Sequence, residues 1–287
     1  MATTLTNRSN LKWDVFVAPG IPTVTNDLPP NTTLRMWSPT SSTLIYGSRE
    51  AVLVDALMTV DQAKSLRAWI EAHERDLTTI YVTHGHGDHH FGASVLLERY
   101  PRARVVATAA VVKQMRRQMS PAVLETFWKP RFPAQIPERL LLAEVLTDSV
   151  FHLEGHELVV VPLGHTDTDD TTCLHVPSIG LVVAGDAAYN DVHQYLAEST
   201  PEGRREWIAA LDTIESLEPR AVIAGHKRAE NDDGPRIIEE TRQYIRDFDR
   251  IASATKTARE LYDQMLELYP KRVNTGALWS SARAVKP

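Results

Sequence analysis

The sequence predicts an α+β fold in which several strands end in polar, ligand-type residues, and three observations carry that reading. The β-forming run Leu77 to Thr83 stops at His84-Gly85-His86-Gly87-Asp88-His89 and gives way to a helix-like stretch, Phe91 to Arg99. Three later apolar runs each reach a glycine and then one polar residue: Gly164-His165, Gly185-Asp186 and Gly225-His226. Between these runs lie stretches with helical spacing of apolar residues.

In chain order, residues 1–33 carry Pro19, Pro22, Pro29 and Pro30 among Thr and Asn, and read as an irregular arm with one strand, Trp13 to Val17. Strands follow at 34–37, 42–46 and 51–55; the last two form a hairpin through Gly47-Ser48-Arg49-Glu50. Residues 60–75 form an amphipathic helix with Ala63, Leu66, Trp69 and Ile70 on one face. After the histidine-rich turn come a strand at 105–107 and a helix at 109–119. Gly85 and Gly87 give that turn its backbone freedom.

Between 120 and 147 the pattern breaks. Pro121, Pro130, Pro133 and Pro137 punctuate Phe127, Trp128 and Phe132, so one continuous helix is excluded. Such an insertion is either a packed surface excursion or a substrate-binding lid. Strands resume at 149–153 and 157–161, then at 172–176 and 180–184, followed by a helix at 202–217 and a strand at 221–224. From Pro235 onward Ile238, Thr241, Ile245, Phe248 and Ala252 recur at helical spacing, and Leu261, Met265 and Leu268 continue the stripe. Asp232 and Asp233 offer caps, and Pro235 suits a first turn. This stripe packs on the sandwich or on a second copy, which leaves a homodimer open.

The chain has 287 residues, 43% of them hydrophobic, enough for one large domain or a domain with an appendage. Its formal charge of −6 and lack of a basic run give no case for a nucleic-acid partner. Cys173 is the one cysteine, so an intrachain disulfide is excluded, and its strand-like neighbours make it a small buried hydrophobe. Met1 to Asn10 is polar, with no apolar core of a signal peptide, and no run of ~18 apolar residues suggests a membrane span; a cytoplasmic location is expected.

Three imidazoles and a carboxylate within six residues would repel on protonation if they had no shared partner. A metal supplies one. His84-Gly85-His86-Gly87-Asp88-His89 resembles the His-x-His-x-Asp-His signature of the metallo-β-lactamase superfamily, and His165, Asp186 and His226 supply the later His, Asp and His in order. Asp55, closing Ala51 to Val54, resembles that family's early buried Asp, which supports the metal loop. The resemblance runs from about residue 34 to 230. It implies an αβ/βα four-layer sandwich at 34–233, with 120–147 as its insertion and 234–287 as a C-terminal helical extension.

By the same resemblance His84, His86 and His165 hold one metal, Asp88, His89 and His226 a second, and Asp186 bridges. Two Zn²⁺ ions are expected, with Fe or Mn also suited to nitrogen and oxygen donors. His152, His156, His175 and His193 are read as non-ligands. Superfamily β-lactamases often carry Cys where this chain has Asp186, so the site looks more like that of lactonases, glyoxalase II and RNase Z. Tyr189, three residues after Asp186, matches the tyrosine of lactone-cleaving members and is assigned with Asp88 a catalytic role. Phe127, Trp128, Phe132 and Lys227 are candidate substrate contacts. The implied activity is hydrolysis of a small lactone or ester by a metal-bridging hydroxide. The alternatives are a β-lactam or thioester hydrolase, or an iron-dependent sulfur dioxygenase of the same fold using His84, His165 and Asp186.

Overall fold

The computed structural model describes residues 10–286. Residues 1–9 of the N-terminal arm, and with them most of the polar Met1 to Asn10 segment, lie outside the described residues.

Six strands form one sheet in the order Lys12–Ala18, Thr40–Tyr46, Glu50–Val54, Asp76–Tyr81, Arg104–Ala107 and Glu144–Val145. The first three run antiparallel in turn; from Glu50–Val54 outward the pairings are parallel. The second sheet orders Ala221–Lys227, Leu181–Asn190, Thr171–Val176, His156–Gly164 and Val150–Leu153. Its first pair is parallel and the rest antiparallel.

Alternation along the strands builds the layers. Ile45, Val52, Val54 and Tyr81 pack with Leu158, Leu174, Val183 and Ile223 between the two sheets. Their chain neighbours Leu44, Leu53 and Ile80 pack instead with Leu66, Leu96 and Val111, from helices Val60–Glu71, Ala93–Leu97 and Ala109–Gln118. On the far side, Val182, Ala184 and Val222 meet Trp207 of helix Pro201–Ser216 and Phe248 of helix Ile237–Ala254. Strands buried on both faces read as continuous apolar runs, which is how these runs appear in the sequence. The result is a helix–sheet–sheet–helix sandwich.

Helices Ile237–Ala254, Ala258–Leu268 and Thr275–Val285 join that outer layer through Ile245, Leu261 and Leu278. Asp233 is no cap: it pairs with Lys227, while Asp232 accepts from the Gly234 amide and pairs with Arg236. Thr275–Val285 then reaches back to the start of the fold. Arg35 donates to the Gly276 carbonyl at 2.8 Å, and Asn274 donates to the Ser38 hydroxyl at 2.6 Å.

Several boundaries differ from the sequence reading. The first helix ends at Glu71 because Glu74 takes a left-handed φ of 53° and Arg75 donates to the Gly47 carbonyl at 3.0 Å. Leu181–Asn190 continues well past Ala184, since its bulged parallel pairing with Ala221–Lys227 extends to Tyr189 opposite His226. Within 120–147 the chain makes short turns, Pro121–Val123, a wide π-type turn at Leu124–Trp128, and Lys129–Arg131. The Val24 amide on the Arg131 carbonyl (3.0 Å) and the Val60 amide on the Gln135 carbonyl (2.8 Å) pin this segment to the body.

Candidate metal centre

The strand Asp76–Tyr81 ends three residues before His84, and Gly87–His89 forms a single 3-10 turn that swings Asp88 and His89 inward. Neither Gly85 nor Gly87 has a positive φ, so backbone freedom does not explain them. Space does. A Cβ on Gly85 would come within 2.3 Å of Gln114, and one on Gly87 within 2.5 Å of Phe91.

Around this turn the fold assembles two adjoining groups of donors, His84, His86, Asp167 and Asp186 in one and Asp88, His89 and His226 in the other, each with its atoms within 4.8 Å of one another. Asp186 spans both: Oδ1 lies 3.3 Å from Nε2 of His89, and Oδ2 lies 3.0 Å from Nε2 of His226. Asp88 Oδ2 accepts from the Trp37 indole at 3.0 Å and lies 3.6 Å from Nε2 of His226. Asp55 stands behind the cluster, where it accepts from the Thr83 amide at 2.9 Å and faces Nδ1 of His89 at 2.9 Å. His226 turns its own Nδ1 to the Pro39 carbonyl at 2.9 Å. With their outer nitrogens so held, His89 and His226 aim Nε2 into the centre.

The decisive test of fit is what these atoms lack. Nε2 of His84, Nε2 of His89, Oδ2 of Asp167 and Oδ1 of Asp186 are buried without a hydrogen-bond partner. Each such atom costs roughly 1–3 kcal/mol when left unsatisfied. Four converging on one place suit divalent cations, which accept nitrogen and carboxylate donors together. The charges are mutually arranged as well. Burial, reinforced by His89, pushes His84 toward its neutral form. Burial opposes charge on His89 too, but Asp186 and Asp88 hold it well above the ordinary imidazole range.

Six of the seven residues expected as ligands therefore come together: His84, His86, Asp88, His89, Asp186 and His226. His165 does not. A bulge between Pro162 and Gly164 turns it outward, with Nδ1 2.6 Å from Asp169 and Nε2 2.9 Å from the Ser199 hydroxyl. The set His84, His165 and Asp186 is accordingly not assembled. Asp167 stands in the cluster instead. Its only sequence signal was its place in the acidic run His165-Thr166-Asp167-Thr168-Asp169-Asp170.

The profile of the metallo-beta-lactamase superfamily matches residues 35–226, well over half of the chain, and includes every residue of the cluster. This chain belongs to that superfamily. Solved members share its fold. A metallo-beta-lactamase family protein of Thermus thermophilus is 21% identical with a TM-score of 0.60, over 94% of this chain and 91% of its own. A metallo-beta-lactamase of Pontibacter korlensis is 15% identical with a TM-score of 0.58, over 83% of this chain and 99% of its own. Among curated proteins, the hydroxyacylglutathione hydrolase of Synechococcus sp. (strain CC9605) is 40% identical over 60 residues. That match spans 21% of this chain and 22% of the relative's length.

In this superfamily member four of the donors, His86, Asp88, Asp186 and His226, form the floor of a cavity of about 280 Å³, while His84, His89 and Asp167 are buried beyond it. Trp37, Phe127 and Trp128 line it, with Arg35, Tyr195 and Glu198 also in its wall. Tyr189 reaches the floor, buried, its hydroxyl donating to Asp186 Oδ2 at 3.1 Å. Phe132 stays behind the wall, its ring 5.4 Å from that of Trp37 and stacked on Trp128 at 6.3 Å. Lys227 is not a cavity residue. Its ammonium is buried on Asp233 and donates to the Asn231 carbonyl at 2.9 Å, so it fastens the loop after the last strand. Trp37, Arg35 and Tyr195 escaped the sequence reading because each sits outside any motif and reaches the cavity only through the fold. No helix of the described residues is long and apolar enough to cross a membrane.

Proposed function

We propose that this chain is a metal-dependent hydrolase of small carbonyl compounds, lactones or esters first, working with two divalent ions. The observation that carries the reading is the cluster of buried, unpartnered imidazole and carboxylate atoms beside an aromatic-walled cavity that Asp186, His86, Asp88 and His226 line. His84 and His86 would hold one ion, Asp88, His89 and His226 the other, and Asp186 would touch both. Bound there, the ions would activate water as a nucleophile near neutral pH and polarise the substrate's carbonyl.

The chain's own residues supply the rest. Trp37, Phe127 and Trp128 present ring faces and edges to an apolar acyl or ring portion of the substrate. The Tyr189 phenol stays protonated, because burial and then the Asp186 carboxylate raise it well above its ordinary value, and its one proton, now on Asp186, would turn from there to an oxygen gaining charge. Asp88, which lines the cavity and accepts from the Trp37 indole, would take or return a proton at its carboxylate. A thioester is the second reading, supported by the short match to a hydroxyacylglutathione hydrolase.

The test is metal content by mass spectrometry on untreated protein, followed by lactone, ester, thioester and β-lactam panels on the same sample. Two ions per chain and fastest turnover on lactones or esters are expected. A metal-loaded protein that turns over only thioesters moves the assignment to the second reading.

A further inference from the structure

We infer that Asp167 replaces His165 as the third protein ligand beside His84 and His86, and that this oxygen-rich seat shifts the centre toward manganese or iron. The inference rests on the metal-centre reading above and concerns which side chain completes it and what ion that side chain favours.

Asp167 is fully buried. Its Oδ1 accepts from the Thr166 hydroxyl at 2.9 Å, which turns Oδ2 to the histidines. Oδ2 lies 2.8 Å from Nδ1 of His86 and 3.7 Å from Nε2 of His84. Its ion-pair neighbours within 4 Å among the described residues are those two imidazoles, with no Lys or Arg. The nearest partner of this buried carboxylate is the His86 imidazole, and a cation seated between Asp167, His84 and His86 would satisfy the carboxylate and both imidazoles together.

His165 is held away from the same seat. Asp169 and Ser199 take up both its ring nitrogens. The ring rests on Gly203, where any Cβ would come within 2.6 Å of Nε2. The Ser199 hydroxyl that meets His165 also donates to the Thr166 carbonyl at 2.7 Å, so one group fixes the imidazole outside and the Asp167 loop inside. Bringing His165 in would undo both.

Exchanging an imidazole for a carboxylate changes the donor chemistry. With Asp186 the seat offers two histidines and two carboxylates; carboxylate oxygens suit the harder ions, Mn²⁺ above all, and a mixed imidazole and carboxylate set also suits Fe²⁺. Asp88, Asp167 and Asp186 together also place a third negative charge at the centre, where a His165 ligand would leave two.

The experiment strips the full chain with a chelator and reloads it anaerobically with Zn²⁺, Mn²⁺ and Fe²⁺, singly and in equimolar mixture. Bound metal is counted by mass spectrometry, and circular dichroism checks that each variant is folded. His165→Ala should keep the wild-type stoichiometry, while Asp167→Ala should lose about one ion per chain. Asp167→Asn keeps the side chain's size and its bond to Thr166, and should weaken that ion's binding by roughly 10–100-fold. In the mixture, Asp167→His should raise the zinc share over manganese and iron by roughly tenfold. Loss of an ion in His165→Ala with full retention in both Asp167→Ala and Asp167→Asn overturns the ligand assignment. An unchanged metal ratio in Asp167→His overturns the selectivity. A wild-type chain that takes up no ion overturns the metal centre itself, which separates that failure from the other two.

Discussion

Nδ1 of His89 faces Oδ2 of Asp55 at 2.9 Å, while the same carboxylate accepts the Thr83 amide through Oδ1 at 2.9 Å. One buried side chain thus fixes the strand end that leads into the histidine turn and orients the last ligand-type residue of that turn. Carboxylate partners of this kind set the tautomer and basicity of a metal-binding imidazole. Asp55→Asn should lower metal affinity by about 10–100-fold while the chain stays folded. Isothermal titration of stripped protein measures it, and an affinity equal to wild type would reduce Asp55 to a packing role.

Tyr189 is buried between Trp207 and His226, with ring centroids 6.1 and 5.5 Å away, and its hydroxyl meets Asp186. Tyr189→Phe preserves that packing. Turnover on the best lactone or ester should fall about 10-fold, less than the 10²–10³ of an isolated oxyanion donor because cations already share the charge. Metal content should not change. If metal is lost along with turnover, the hydroxyl acts by positioning Asp186 and does not touch the substrate.

Buried Lys227 pairs with half-buried Asp233, whose carboxyl is raised above its usual value by burial even beside the ammonium. Removing one member of such a pair strands the other, at a cost of about 3–5 kcal/mol. Lys227→Met should therefore lower the denaturation midpoint and leave KM unchanged, and adding Asp233→Asn should restore most of the stability. A raised KM at unchanged stability would return Lys227 to the substrate.

His193 is buried with Nδ1 2.9 Å from the Tyr244 hydroxyl, and burial, then the Arg272 charge, lowers its pKa to about 3. Its unfolded value is near 6.5. Between those values the unfolded chain binds one proton more than the folded one, so stability rises with pH through this window and is lost as pH falls below about 6.5. The slope reaches at most about 1.4 kcal/mol per pH unit. Urea titrations at pH 7, 6 and 5 should show wild type losing stability faster than His193→Gln; parallel losses would assign the acid sensitivity to other groups.

Much of this protein follows from local sequence. The two-faced burial of strands such as Ala51 to Val54 and Leu181 to Ala184 is legible because each apolar residue serves one of two cores, and the ligand-type turn is legible because His84 to His89 are neighbours in the chain. Asp186 and His226 could be found because each follows an apolar run and a glycine in the order that the family resemblance implies, a signal that His165 shares. Tertiary structure alone decided between His165 and Asp167. Two residues apart in one loop, they are sorted by a strand bulge and by Ser199 and Gly203, more than thirty residues away along the chain. The same holds for Lys227, whose partner Asp233 lies across a loop, and for Trp37, which reaches Asp88 only once two sheets and the last helix have closed around it. Donor type is a property of the residue. Which way a donor points depends on the competing hydrogen bonds and the space around it, and these exist only in the folded chain.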